Sequence, residues 1–268
     1  MSIRVGLSGW SYNDWTGRFY PPGLHSSEWL AFVASIFPTV EVNRTFYSLL
    51  QPDTYRQWLK EVPSDFVFSV KGSRYITHMK RLRDVETPLA NFFASGVLEL
   101  GGHLDTLLWQ LPANQKVSSS VLADFLSMLP TSSDQAARIA RHHDQRVTRF
   151  EKPAGATSPI RHAVELRHPE SLDSDLLHAA RTHNVAIAIS HASNWPLFDE
   201  RTADFAYIRL HGPGKLYASA YSSQELDGWC SRITRMGIEQ DVLVYFDNDS
   251  GAHAPHDAMA LMDRLARG

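Results

Sequence analysis

Polar side chains of one parity recur inside otherwise apolar, β-branched segments of this chain. Over residues 39–43, Val40 and Val42 alternate with Glu41 and Asn43; over 163–167, Val164 and Leu166 alternate with Glu165 and Arg167. Over 205–210, Ile208 and Leu210 alternate with Tyr207 and Arg209, and His211 continues the polar parity. Ser69 and Lys71 share one parity at the end of segment 66–70, and Gln110 sits near the end of segment 106–111. His168, His191, Asp247 and Asn248 stand just past the ends of theirs. Successive strand residues face opposite sides, so these acids and cations are expected to converge on one axis.

The chemistry such a set could perform is acid–base work on an anion. Glu41 and Glu165 beside fixed cations can act as base and acid if burial and pairing separate their pKa values, and Lys71 and His211 complete the expected catalytic set. Arg167 and Arg209 offer guanidinium forks, and Lys71 a point charge, for a phosphate or carboxylate, with His78 and His168 close by in the pattern. Trp10, Tyr12, Trp15, Phe46, Tyr47, Tyr75, Tyr217 and Tyr221 fall near segment ends and offer flat faces for a sugar ring or nucleobase. The residues expected to touch substrate are Trp10, Tyr12, Asn43, His78, Gln110, Arg167, His168, Arg209, Asp247 and Asn248. For the mid-segment Glu41, Glu165 and Arg209 a second reading stands beside this one: ion pairs that fill an interior.

The elements that must position these groups are eight strand-like runs, at 3–8, 39–43, 66–70, 106–111, 163–167, 185–190, 205–210 and 242–246. Between most of them the apolar period is helical: Trp29, Phe32, Val33, Ile36 and Phe37 form one stripe, and Leu226, Trp229, Cys230 and Ile233 another. Pro52 suits a first helical position and Thr87-Pro88 a helix start. Ser222 with Glu225 reads as a capping box, Gly237 as a stop, and Pro255 as the opening of the last helix. Strand–helix alternation demands a parallel sheet with right-handed crossovers. Eight units in 268 residues fit an α/β fold consisting of a single (βα)8 TIM-type barrel, irregular or lacking a helix after strand six, where 191–204 shows no helical period. In such a barrel the helix-facing parity is apolar, which forces polar strand residues inward, and chemistry gathers at the C-terminal rim. One domain, 1–268, is expected, with a polar insertion at about 131–160 that includes a helix over 134–143.

Composition narrows the class. With 43% hydrophobic residues and a net charge of −3, the chain has material for a large core and no basic excess, so nucleic-acid binding finds no support in bulk charge. The lone Cys230 reads as a small buried hydrophobe. No apolar run approaches the ~18 residues of a membrane span, and Met1-Ser2-Ile3-Arg4 leads straight into a strand, so a cytoplasmic protein is expected. Oligomeric state is not encoded in any of these features.

Several segments, taken in order, resemble the YecE-like family, domain-of-unknown-function family 72. They are Gly9-Trp10-Ser11-Tyr12, Val40-Glu41-Val42-Asn43-Arg44-Thr45-Phe46-Tyr47, Phe66 to Lys71, Ile76-Thr77-His78, and Gln110-Leu111-Pro112. Val164 to His168, Tyr207 to Gly212 and Tyr245-Phe246-Asp247-Asn248 complete the series. The resemblance implies a TIM barrel. The chain departs from the family's pattern with Asp247, where Asn is usual, and with Ser190-His191, where a Ser-Asp-like pair is usual.

Three functional readings follow. The first is an acid–base enzyme acting on a small anionic, ring-bearing substrate, sugar phosphate or nucleotide-like, without cofactor or metal. The second is a metal-dependent phosphoesterase or nuclease resembling endonuclease IV-like barrels, drawing ligands from Glu41, Glu165, His168, His191, His211 and Asp247; the cations on the same rim oppose it. The third is a non-catalytic nucleotide or single-stranded nucleic-acid binder, for which aromatic and Arg side chains are suited. Phosphate-loop, dinucleotide and Ser-elbow motifs are absent. Gly212-Pro213-Gly214-Lys215 reads as a loop, and 212–222 as a lid candidate.

Overall fold

A computed structural model describes residues 2–267. Parallel strands β1 (Ile3–Ser8), β2 (Thr39–Val42), β3 (Val67–Lys71), β4 (Leu104–Gln110), β5 (Arg161–Glu165), β6 (Val185–Ile187), β7 (Ile189–His191), β8 (Phe205–Leu210) and β9 (Asp241–Phe246) form one sheet. The strand order is β6-β5-β4-β3-β2-β1-β9-β8-β7. β6 and β7 are consecutive stretches of one chain segment, so the ring closes through them and the barrel is TIM-like. The expected sixth strand is split at Ala188: its first half pairs with β5 and its second with β8. Thr202 explains the break. Its hydroxyl accepts from Ile187 N (2.9 Å) and donates to Val185 O (2.7 Å), covering the β6 edge that β8 does not reach.

Helices α1 (Trp29–Ala34), α2 (Arg44–Tyr47), α3 (Pro52–Glu61), α4 (Glu86–Ala94), α5 (Ser119–Ser127), α6 (Ser133–Ala140), α7 (Ser174–Thr182), α8 (Ser223–Gly237) and α9 (His253–Leu265) surround the sheet. Among the described residues no helix follows β7 before β8, as the aperiodic 191–204 stretch implies. The Ser222–Glu225 capping box forms, and Pro52 opens α3. Three helix boundaries differ from expectation. Thr87-Pro88 lie inside the first turn of α4 and Pro255 inside that of α9, where a missing N–H leaves no intrahelical bond unmade. Gly237 is the last residue of α8 and not a stop; a Cβ there would come within 2.7 Å of Ile3 Cδ1. The 131–160 stretch folds back on itself: Ile160 N donates to Thr131 O (3.0 Å) and Ser133 N to Ser158 O (2.9 Å). Its helix is α6, which buries Ala136, Ala137 and Ala140.

The sheet separates two cores. Outward Val5, Leu7, Val40, Val42, Val164, Ile208 and Leu210 pack on the helices, with Cys230 partly buried against the same layer. Inside, Leu108, Phe205, Tyr207, Leu243 and Tyr245 fill the lower barrel against Ala163, Ala186 and Ala188. Arg161 plugs the N-terminal end, bridging Asp105 (2.5 Å) and Asp241 (3.2 Å). β8 thus carries an inward column of Phe205, Tyr207 and Arg209, which His211 extends, the parity expected from sequence.

Gly72, directly after Lys71, shows how tightly the barrel wall is built. A Cβ at this position would lie 2.3 Å from two Trp109 ring atoms, and that ring is fully buried against Phe92, Phe125 and His162. Gly72→Ala is expected to destabilise the fold by about 1–3 kcal/mol. In a thermal melt this corresponds to a midpoint lower by roughly 2–10 °C; an unchanged midpoint would mean that Trp109 can yield.

Candidate functional site

Arg209 is fully buried at the barrel axis, and its guanidinium reaches four strands. Nε donates to Glu41 Oε2 (2.9 Å) and Nη2 to Glu41 Oε1 (2.6 Å), a bidentate fork from β8 to β2. Nη1 donates to Glu165 Oε2 on β5 (2.8 Å), and Nη2 also to Ser8 Oγ on β1 (3.1 Å) and to Asp247 Oδ2 just past β9 (3.0 Å). Burial alone would lower the arginine's pKa; Glu165, Glu41 and Asp247 outweigh it and hold the group firmly charged.

Glu41 also accepts from Ser8 Oγ (2.5 Å) and Tyr207 OH (2.7 Å), so four donors fill the roughly four acceptor directions of its carboxylate. Glu165 accepts from Arg167 Nε (3.1 Å) and Ser190 Oγ (3.0 Å) besides Arg209. Its burial would raise the pKa, yet Arg167 and Arg209 hold the carboxyl well below the usual range. These two glutamates therefore correct the acid–base pair expected from sequence: both are sealed, and Glu165 is held as an anion. His211, also fully buried, lies with Nδ1 2.8 Å from Asp247 Oδ2 and Nε2 3.4 Å from Glu165 Oε1. The Nδ1 approach is close but off the line a ring N–H needs for a hydrogen bond. Trp195 and Tyr217 pack against the ring, so His211 braces the carboxylates from beneath that layer.

Above this floor lies a cavity of about 550 Å³, lined by Trp10, Tyr12, Asn43, Lys71 and Asp247 of the expected set, together with Arg44, Tyr47, Trp58, Tyr217 and Asp249. Gly9, at φ +100° and with Tyr12 OH 2.8 Å from where its Cβ would be, turns the chain so that Trp10 and Tyr12 meet the mouth. Asn43 donates to Ser8 O (3.0 Å) and Ser8 Oγ (2.9 Å). Lys71 Nζ sits 4.5 Å from the Phe46 ring centroid, and among the described residues no carboxylate oxygen lies within 4 Å of it. Burial, and then the Arg209 charge, bring its pKa down to about 8.

Asp247 and Asp249 line the same cavity. Burial would raise Asp247, but Arg209 and His211 hold it below the usual carboxylate range. Asp249 is driven the other way, well above that range, by burial and then by the charge of Asp247. Two neighbouring carboxyl groups whose pKa values are driven in opposite directions thus line the same cavity. Asp249 did not stand out in the sequence; the signal that could have found it is the Asp-x-Asp spacing just past β9.

The remaining expected residues lie elsewhere. Arg167 stacks on Trp195 at 3.9 Å, a ring delivered by the helix-free loop after β7. Gln110 is buried at the end of β4, in register with Glu165. His78 is half-buried, edge-on to Phe46, with a pKa lowered to about 4 by burial and then by Lys71. His168 and Asn248, expected at the substrate, make bonds within the protein. His168 Nδ1 accepts from Glu170 N (3.2 Å) and caps the turn Pro169–Ser171. Asn248 donates to Ser219 O (2.9 Å) and Asp257 Oδ2 (2.8 Å), tying loop 212–222 to α9. That loop is further pinned by Ser250 N to Tyr217 O (3.0 Å) and Tyr221 N to Asp257 Oδ2 (2.9 Å), more like a fixed wall than a lid. Of the aromatics, Trp15 is core and donates to Asp249 O (2.7 Å), and Tyr221 is buried beside His191 (2.9 Å).

Two stability measurements separate floor from wall. Arg209→Met leaves Glu41 and Glu165 buried without their main partner; a loss of about 3–5 kcal/mol is expected, read as a large fall in the urea midpoint. Lys71→Met should do the reverse. The lysine's pKa falls from 10.5 free to about 8 folded, so the folded state binds fewer protons between those values. The cost of burying its charge, on the order of 3 kcal/mol, is therefore complete below pH 8 and relieved as pH rises toward 10.5. The variant should be more stable than wild type at pH 7 and lose that advantage by about pH 10.5; equal stability at pH 7 would show that Lys71 is not strained.

With the geometry in hand, comparison with known proteins places the chain. A family model described as "Protein of unknown function DUF72" matches residues 4–268. The UPF0759 protein YunF of Bacillus subtilis (strain 168) is 35% identical over 289 residues, covering 98% of this chain and 94% of that protein. Among solved structures, a DUF72 family protein from Thermotoga maritima MSB8 superposes with a TM-score of 0.77 at 24% identity, over 99% of this chain and 100% of that one. A DUF72 family protein from Enterococcus faecalis V583 gives 0.73 at 20% identity, over 98% and 95%. The two superpositions speak for the barrel fold, and the family match spans nearly the whole sequence: the chain belongs to the DUF72 family.

Proposed function

We propose that this protein is an acid–base enzyme acting on a small anionic, ring-bearing substrate, sugar phosphate or nucleotide-like, bound in the cavity at the C-terminal mouth. The observation that carries the reading is Lys71: a buried amine without a carboxylate partner, facing a cavity large enough for a monosaccharide phosphate. An unneutralised cation at such a position attracts an anion, and exposed Arg44 adds a guanidinium to the same wall. A pKa near 8 suits proton exchange at neutral pH. Asp247, its pKa lowered, and Asp249, its pKa raised, supply a base and an acid in the same cavity. Trp10, Tyr47, Trp58 and Tyr217 provide the faces on which a ring can stack.

No observation favours the metal-dependent reading. Among the described residues no three His, Cys, Asp or Glu side chains gather as a metal site, and the Arg209 guanidinium occupies the space between Glu41, Glu165 and Asp247. Among the same residues no helix is long and apolar enough to cross a membrane. The test is titration of inorganic phosphate, sugar phosphates and mononucleotides by thermal shift, followed by mass spectrometry for turnover of whichever ligands stabilise. Stabilisation by a phosphate-bearing ligand is expected, its affinity falling about tenfold or more as pH rises through 8 and Lys71 loses its charge. Lys71→Met should abolish that pH dependence. No stabilisation by any phosphate-bearing ligand would overturn the proposal; binding without turnover would replace it by the non-catalytic reading.

A further inference from the structure

We infer that Lys71 is a covalent catalyst, whose amine condenses with an aldehyde or ketone group of the substrate to form a Schiff base. The inference rests on the reading above in that the same cavity holds the substrate, and it adds the functional group the substrate must carry.

The surroundings of Lys71 set it apart from every other lysine. The chain has six, at 60, 71, 80, 116, 152 and 215. Lys80, Lys116 and Lys152 each lie within 4.0 Å of a carboxylate, whereas Lys60 and Lys215 are exposed. Lys71 alone is buried, over the apolar face of Phe46, and its charge has no carboxylate partner within 4 Å among the described residues. A site meant only to grip an anion is better served by arginine, which stays charged and binds through a fork. An amine desolvated beside a second fixed cation, here Arg209, instead gains the neutral form that attacks carbonyl carbon.

Asp249, which lines the same cavity as Lys71, supplies the protons the reaction needs. Neutral Lys71 Nζ bonds to the carbonyl carbon, and the C=O π pair moves to oxygen, which takes the proton of the Asp249 carboxyl. The nitrogen of this carbinolamine returns a proton to the Asp249 carboxylate. The hydroxyl then leaves as water with that proton, and the nitrogen lone pair forms the C=N bond. The sum is amine plus carbonyl plus one proton giving iminium plus water, and no redox partner is required. Burial, and then the charge of the neighbouring Asp247, raise the pKa of Asp249 and so favour its protonated form at the start.

The test is reductive trapping on the full chain. Protein at pH 7.5 is incubated with glycolaldehyde or glyceraldehyde 3-phosphate plus cyanoborohydride, and the modified peptides are mapped by mass spectrometry. Labelling at Lys71 at least about tenfold faster than at exposed Lys60 and Lys215 is expected, with Asp249→Asn slowing it about tenfold or more. Lys71→Arg, which keeps the charge, should retain stabilisation by inorganic phosphate and lose the fast adduct. Exposed lysines labelled while Lys71 stays unmodified would overturn the Schiff base, and phosphate stabilisation persisting in that case leaves the anion reading intact. Fast glycolaldehyde labelling of Lys71 that phosphate neither slows nor competes with would uphold the Schiff base and remove the anion reading instead.

Discussion

The guanidinium of Arg209 is the interaction on which the rest of the site depends. A fully buried cation is tolerable only where opposite charge and acceptors surround it, and here Glu41, Glu165, Asp247 and Ser8 do so from four strands. The charge then acts on its neighbours in turn. It stabilises Asp247 as an anion, and that anion adds to burial in raising the pKa of Asp249. It also lowers the pKa of Lys71, which burial has already reduced. One fixed positive charge thus helps lower the pKa of both Asp247 and Lys71 from outside the cavity.

The barrel makes this possible by stacking unlike layers along one axis. An ion-paired Arg161 closes the N-terminal end, aromatic and aliphatic side chains fill the middle, and the Arg209 cluster forms the floor of the mouth. The packed middle excludes water from beneath the floor, which raises the electrostatic stakes of every contact above it. Saturation of Glu41 by four donors reads in the same way: it is a rigid anchor for the guanidinium, not a reacting group. The split sixth strand serves the rim as well, because the helix-free chain after it brings Trp195 onto Arg167 and His211.

What the amino-acid order determined by itself is the barrel and the direction of its polar side chains. Strand parity is a local property: Val40 and Val42 had to meet helices, so Glu41 had to point inward, and the same holds for Glu165 and Arg209. Capping at Ser222 and the missing helix after β7 were equally local, since each depends on a few adjacent residues. Which carboxylates are free and which are consumed was decided only by the tertiary structure. Glu41, Glu165 and Asp247 look alike in the sequence, and their roles separate because donors, most of them from other strands, enclose the two glutamates while Asp247 lines the cavity. His168 and Asn248 likewise turned out to bond their own turn and a neighbouring helix. Lys71 gains its strained charge from burial and from Arg209, far away in the chain, and such through-space electrostatics leave no mark in residue spacing.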